Sequence, residues 1–355
     1  MARMTGSSLL TLLLACAVCV QAEAAEDTAI WRIDTRLLDP PRAASPALRE
    51  AIAMAPEPDV AAQRADVPAD SAAWIDRRAS RDDPRGAQAL AEAERLGVRV
   101  ELAELGGVPV RRVRPATIAD AFEGALFLHL HGGGYVFGGG DASVFEAVVI
   151  AARLGIEVVS VDYRMAPEAP WPAAVEDAHA VWRALLRDRA PGRIAMGGTS
   201  AGGGLTLATV QRILAGGAEG PAVLWVGTPW ADLSAASDSL HTLEGIDRVL
   251  VSYEGTLGAA ARLYAGEAGV AHPGPSPVHG EFSGFPPTQL VTGTRDMLLS
   301  DAARVHRALR DAGAVADLLV FEGFSHAEYL FTLDAPESAA VHDEMERFLV
   351  SHLGP

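Results

Sequence analysis

From Val98 towards the C-terminus the chain alternates short apolar runs with longer amphipathic ones, and no other feature narrows the fold so far. Strand candidates lie at 125–130, 157–161, 193–196, 222–226, 288–292 and 317–321. Helical segments follow most of them, near 143–153, 173–186, from 201, 301–312 and 338–352. Repetition of this kind predicts an α/β fold, a mostly parallel sheet with helices on both faces. Residues 98–102 and 108–113 alternate about Gly106-Gly107 and predict a hairpin ahead of it. Residues 231–279 break the rhythm, being longer and richer in Gly and Pro than an ordinary crossover. Residues 30–97 are rich in Ala, Arg, Asp and Glu and read as helical. Ser45-Pro46 supplies an N-cap and first-turn proline, and a helix over 87–96 stops at Gly97.

A chain of 355 residues can bury a large core. Its formal charge of −17 argues against nucleic acid or an anionic membrane as partner. Lysine and asparagine are both absent from the sequence. The missing lysine excludes a phosphate-binding Gly-Lys-Ser/Thr loop, a Schiff-base lysine and a Ser-Lys pair together. The histidines are scattered and no H-E-x-x-H occurs, so neither a metal nor a cofactor is expected. Oligomeric state is open, a homodimer included.

The first 24 residues read as an export signal. Arg3 precedes an apolar run over 9–20, and Ala22-Glu23-Ala24 fits a small-x-small cleavage site. The run is too short to span a bilayer, which needs about 20 apolar residues. A periplasmic or secreted location is expected; Leu13-Leu14-Ala15-Cys16 also resembles a lipobox, which would leave a lipid on Cys16. Cys16 and Cys19 are the only cysteines, so cleavage after Ala24 leaves a protein without disulfides or thiol chemistry.

The chemistry concentrates around "GGTSAGGG" at 197–204. Within it, Gly198-Thr199-Ser200-Ala201-Gly202 is a G-x-S-x-G motif that follows a strand candidate and opens a helix. A serine on such a turn is lifted clear of the sheet, provided the residues two before and two after are very small. Upstream, His131-Gly132-Gly133-Gly134-Tyr135 follows the 125–130 strand, and a triple glycine there exposes N–H groups suited to an oxyanion hole. Downstream, Asp296 follows one strand candidate, and His326 lies between the last strand and the last helix. The order Ser200, Asp296, His326 is the one expected of α/β-hydrolases. Tyr135, Phe137, Trp230, Phe324 and Tyr329 adjoin these elements, and either line a substrate pocket or pack the core.

Six segments carry a resemblance to a family: "HGGGY" at 131–135, "DYRMAPE" at 162–168, "PWPAAVEDA" at 170–178, "GTSAGG" at 198–203, "TGTRD" at 292–296 and "GFSHAEY" at 323–329. Residues from about 98 to 352 resemble the hormone-sensitive-lipase-like α/β-hydrolases, the bacterial family IV esterases, in the subgroup spelled GTSAG. Thr199 stands where most members carry Asp. The resemblance implies an α/β-hydrolase core over 98–355, a helical cap from 25–97 and a further cap insertion within 231–279. It implies a serine carboxylesterase for short- to medium-chain esters, with Ser200 as nucleophile, His326 as base and Asp296 orienting it. The N–H groups of Ala201 and of two among Gly132, Gly133 and Gly134 would hold the oxyanion. His131 would anchor the glycine loop, and Asp162, Arg164 and Glu168 would form a buried polar network. Hydrolysis of lactones or other specialised esters, and a ligand-binding protein on an inactive scaffold, are the alternatives.

Overall fold

Residues 37–353 are described by a computed structural model, so the segment read as an export signal, with Cys16, lies outside the described residues. Three helices come first: α1 (Pro46–Met54), α2 (Val60–Ala65) and α3 (Ser71–Leu96). Ser45 caps α1, its hydroxyl accepting the Leu48 N–H, and Pro46 occupies the first turn as expected. Gly97 ends α3 in the left-handed conformation at φ 68°. The expected helix over 87–96 is thus the second half of a longer one that runs through Pro84.

The hairpin forms as expected, β1 (Arg99–Leu105) and β2 (Val108–Arg114) pairing antiparallel about Gly106-Gly107. The alternation then runs β3 (Leu126–Leu130), α4 (Phe145–Leu154), β4 (Glu157–Val161), α5 (Ala173–Leu185), β5 (Ile194–Thr199), α6 (Ala201–Ala215) and β6 (Val223–Gly227). The irregular region contributes α7 (Ser239–Thr242) and α8 (Thr256–Ala265). The last units are β7 (Thr288–Gly293), α9 (Leu299–Asp311), β8 (Ala316–Phe321) and α10 (Pro336–His352).

These eight strands form one sheet in the order β1-β2-β4-β3-β5-β6-β7-β8. β2 pairs antiparallel with β4, and every pairing from β4 to β8 is parallel. Strands β3 to β7 are buried throughout, as parallel strands covered on both faces must be. Alternate side chains divide between two cores. Leu126, Leu128, Leu130, Met196 and Val226 face the side of α5, α6 and α9; Phe127, Val158, Ala195 and Trp225 face the side of α4 and α10. The period of two in the strands thereby sets which helices lie on which face. Because these strands run parallel, the loops after β3, β5, β7 and β8 all emerge at the carboxyl end of the sheet, where a parallel α/β sheet binds ligands.

Candidate active site

Ser200 sits on the turn between β5 and α6 with φ 63° and ψ −122°. Such a backbone costs on the order of 1–3 kcal/mol. It is held in place because the Ser200 N–H donates to the Gly227 carbonyl at 2.9 Å and the Trp230 N–H to the Ser200 carbonyl at 2.9 Å. The small residues expected around it have a specific cause. A Cβ on either Gly198 or Gly202 would stand 1.9 Å from the Leu130 carbonyl oxygen, where the neighbouring strand β3 ends.

The glycine turn follows that same strand. Gly133 and Gly134 take φ 110° and 63°, and the Phe137 N–H donates back to the Gly133 carbonyl at 2.9 Å. Among the described residues, the N–H groups of Gly133, Gly134 and Ala201 have no acceptor, so they are free to bind an anion. His131 anchors this turn rather than facing solvent. It donates from Nδ1 to the Gly132 carbonyl at 2.7 Å and stacks on Tyr163 at 4.0 Å, whose hydroxyl donates to the His131 carbonyl at 2.7 Å. Burial lowers its pKa to about 4, which keeps the ring neutral.

Asp296 and His326 arrive from the loops after β7 and β8. His326 Nδ1 lies 3.1 Å from Asp296 Oδ1. Asp296 is fully buried and also accepts from Thr292 Oγ1 at 2.8 Å and the Leu298 N–H at 2.9 Å. With Nδ1–H committed to Asp296, Nε2 is left as the basic atom. Burial alone would depress the imidazole pKa, but the Asp296 carboxylate and, beyond it, Asp247 outweigh that and raise it above its ordinary value. Ser200, His326, Gly132, Gly133 and Gly134 all line one cavity of about 780 Å³.

Four of the five aromatic residues do not line that cavity; Phe137 does. Tyr135, at φ 63°, turns into the core and stacks on Tyr264 at 3.7 Å, with Trp230 tilted 6.0 Å away. Phe324 stacks on Phe321, and Tyr329 meets Trp225 edge-on. These four are core, so their expectation as pocket walls is corrected. The polar network expected of Asp162, Arg164 and Glu168 is corrected too, since the three diverge. Asp162 accepts the Gly140 N–H at 2.9 Å, Arg164 pairs with Asp177 at 2.7 Å, and Glu168 pairs with Arg78 on α3. Arg164 and Glu168 are half exposed.

Three acidic side chains that the sequence did not single out touch the site. Asp247, from the irregular region, faces the backbone N–H of His326 at 3.3 Å and accepts from the Met297 and Val249 N–H groups at 2.9 and 2.8 Å. It therefore ties together the two loops that carry His326 and Asp296. Glu146, on α4, accepts the Thr199 hydroxyl and faces His129 Nε2 at 3.0 Å. Thr199 in turn lies 2.6 Å from the Tyr329 hydroxyl, which donates to it because the threonine proton is spent on Glu146. Asp82, on α3, accepts the N–H groups of Gly138 and Gly139 at 2.8 and 3.1 Å and so grips the far end of the glycine loop. No local pattern marks any of the three; each is brought in by a distant element.

Comparison with known proteins agrees with this geometry. Residues 127–330 match a family described by its alpha/beta hydrolase fold. The crystal structure of an esterase, E25, superposes with a TM-score of 0.89 at 41% identity, covering 92% of this chain and 99% of that one. An esterase from the bacterial hormone-sensitive lipase family superposes with a TM-score of 0.73 at 30% identity, over 87% and 99% of the two chains. A putative acetyl-hydrolase, LipR, of Mycobacterium tuberculosis is 34% identical over 72% of this chain and 82% of its own. The chain belongs to the α/β-hydrolase family, in its hormone-sensitive-lipase-like branch.

Proposed function

We propose that this protein is a serine carboxylesterase. The observation that carries the reading is a serine on a strained strand-to-helix turn, lining one cavity with a histidine that is hydrogen-bonded to a buried aspartate. Its relatives named as esterases and acetyl-hydrolases support the same chemistry. In the proposed reaction His326 Nε2 takes the Ser200 proton as Oγ bonds to the ester carbonyl carbon. The carbonyl π pair moves to oxygen, and the N–H groups of Gly133, Gly134 and Ala201 receive that charge. Collapse breaks the bond to the alcohol, which leaves with the proton from His326. Water then repeats the sequence on the acyl-enzyme. His131 is a poor base by comparison, because burial lowers its pKa to about 4 and its Nδ1–H is spent on the Gly132 carbonyl.

Short- to medium-chain acyl groups are the proposed substrates, as the resemblance to the hormone-sensitive-lipase-like esterases implies. We infer further that the helices before β1 and the 231–279 insertion act as a cap. Gln63 of α2, Arg85 of α3 and Leu257 of α8 line the cavity, and Arg64 pairs with Glu244 at 2.6 Å between the two segments. Export through the 1–24 segment is proposed from the sequence alone. No helix among the described residues is long and apolar enough to cross a membrane.

A fluorophosphonate probe followed by peptide mass mapping tests the central reading, alongside hydrolysis of a p-nitrophenyl ester series. Labelling at Ser200 with activity falling from butyrate to longer acyl chains is expected. An unlabelled, inactive wild-type protein would favour the ligand-binding alternative.

A further inference from the structure

The cavity lining is mixed. Arg81, Arg85, Gln88, Glu92 and Arg95 contribute to it at spacings of four, three, four and three residues, so a single stripe of α3 faces inward. Away from α3, Val136, Val249, Leu250, Leu257, Ala260 and Leu330 present apolar surface, and Glu146 and Asp334 add two acids. The cations of the lining are therefore gathered on one helix.

Charge along the stripe is unevenly balanced. Arg95 is paired with Glu92, its Nε 2.7 Å from Glu92 Oε2. Arg81 and Arg85 have no ion pair or hydrogen bond among the described residues. Asp82 is within electrostatic reach of both, but its Oδ2 is already shared by two backbone N–H groups. Both are exposed residues, and their charge is balanced only at a distance, by Asp82 for both and by Asp66 for Arg81. The choice of Arg over Lys says nothing, because the chain has no lysine; the placement is what matters.

The placement ties the cations to the reacting centre. The guanidinium carbon of Arg81 stands 4.6 Å from the centre of the Phe137 ring. Stacking of this kind orients the planar fork while leaving its N–H edges free. The Phe137 backbone N–H donates to the Gly133 carbonyl, so the ring beneath Arg81 belongs to a residue tied to the glycine turn.

We propose that this cavity takes esters carrying an ionised carboxylate, of which half-esters of dicarboxylic acids are the simplest, with the carboxylate held by Arg81 and Arg85. The carboxylate accepts N–H bonds from the two guanidinium groups while the alkyl part lies against the apolar lining residues. The inference rests on the ester hydrolysis proposed above and adds the substrate class.

The experiment compares kcat/KM for monoethyl adipate with that for diethyl adipate by pH-stat titration, in the wild type, Arg81→Gln, Arg85→Gln and the double variant. The readout is the ratio of the two values in each protein, so a general loss of activity cancels. The wild type is expected to favour the half-ester by about tenfold, the scale of one or two charge-assisted hydrogen bonds in a wet site. Each single variant should erode the ratio, the double variant should abolish it, and raising the salt concentration should shrink it. Arg81→Glu should turn the preference into discrimination against the half-ester. Diethyl adipate hydrolysis and fluorophosphonate labelling without a half-ester preference would overturn the carboxylate site and leave the esterase reading standing. A preference that survives in the double variant would overturn it as well. Absence of both hydrolysis and labelling would overturn the two readings together.

Discussion

The sheet side and the helix side of the cavity are built by opposite rules. On the sheet side, Ser200, Asp296 and His326 are fixed by buried partners, and the turns that carry them are locked by backbone bonds and close approaches. On the helix side, Arg81 and Arg85 line the cavity without a direct ion pair among the described residues, and α3 itself carries mostly exposed residues. The contrast follows from what each side must do. Bond-making demands atoms held to within a fraction of an ångström. Admitting a substrate demands groups left unsatisfied until it arrives.

If that contrast is right, damage on the sheet side should be severe and damage on the helix side graded. The largest effect is expected from Ser200→Ala or His326→Ala, either of which should lower kcat by about 10⁴-fold or more, measured with p-nitrophenyl butyrate. Gly198→Ala comes next and acts on folding. Its methyl group would strike the Leu130 carbonyl, so soluble yield and the thermal midpoint should fall sharply, with no rescue by substrate. Asp82→Ala probes a place where the two sides join. Loss of the acceptor for Gly138 and Gly139 should lower kcat by about tenfold, while Asp82→Asn, which keeps an acceptor oxygen, should restore most of it.

Two smaller effects sharpen the comparison. His326 must be neutral to act, and its pKa is raised, so kcat/KM should rise with pH through a midpoint above 6.5. Asp247→Asn removes one of the carboxylates that raise it, and should move that midpoint to lower pH; an unmoved midpoint would count against the coupling. Thr199→Asp would place a second carboxylate against Glu146. It should lower the thermal midpoint by a few degrees, and Glu146→Gln in the same chain should recover part of the loss.

What could be read in advance divides along the same line. The strands, the nucleophile turn and the glycine turn were legible because their demands are local: a period of two, two very small residues flanking a serine, a triple glycine past a strand end. Asp247, Glu146 and Asp82 were not, because each reaches the site from an element whose own sequence is governed by other needs. Tyr135 was undecided for a different reason. Being next to the glycine turn in sequence says nothing about direction, and its left-handed backbone swings the ring away from the cavity onto Tyr264. The string "DYRMAPE" misled in the same way, since its three charged residues leave in three directions. His129, which the sequence left as an ordinary histidine, lies fully buried between Ser160 and Glu146 beneath the nucleophile turn.

Thr199, beside the nucleophile, shows how a short side chain can recruit a distant group to the turn. Its hydroxyl reaches the carboxylate of Glu146 on α4, and the Tyr329 hydroxyl lies 2.6 Å from it.

The grip of Asp82 on Gly138 and Gly139 has a consequence for grafting as well as for chemistry. A segment that only shades the cavity could be exchanged between relatives like a lampshade, altering taste without altering speed. Here a carboxylate from α3 reaches through to the loop that receives the developing charge. Transplanting the first hundred residues from a cousin, or starting the gene at Val98, would disturb the rate-determining scaffold itself. The leading helices and the catalytic body therefore work as one unit in this chain.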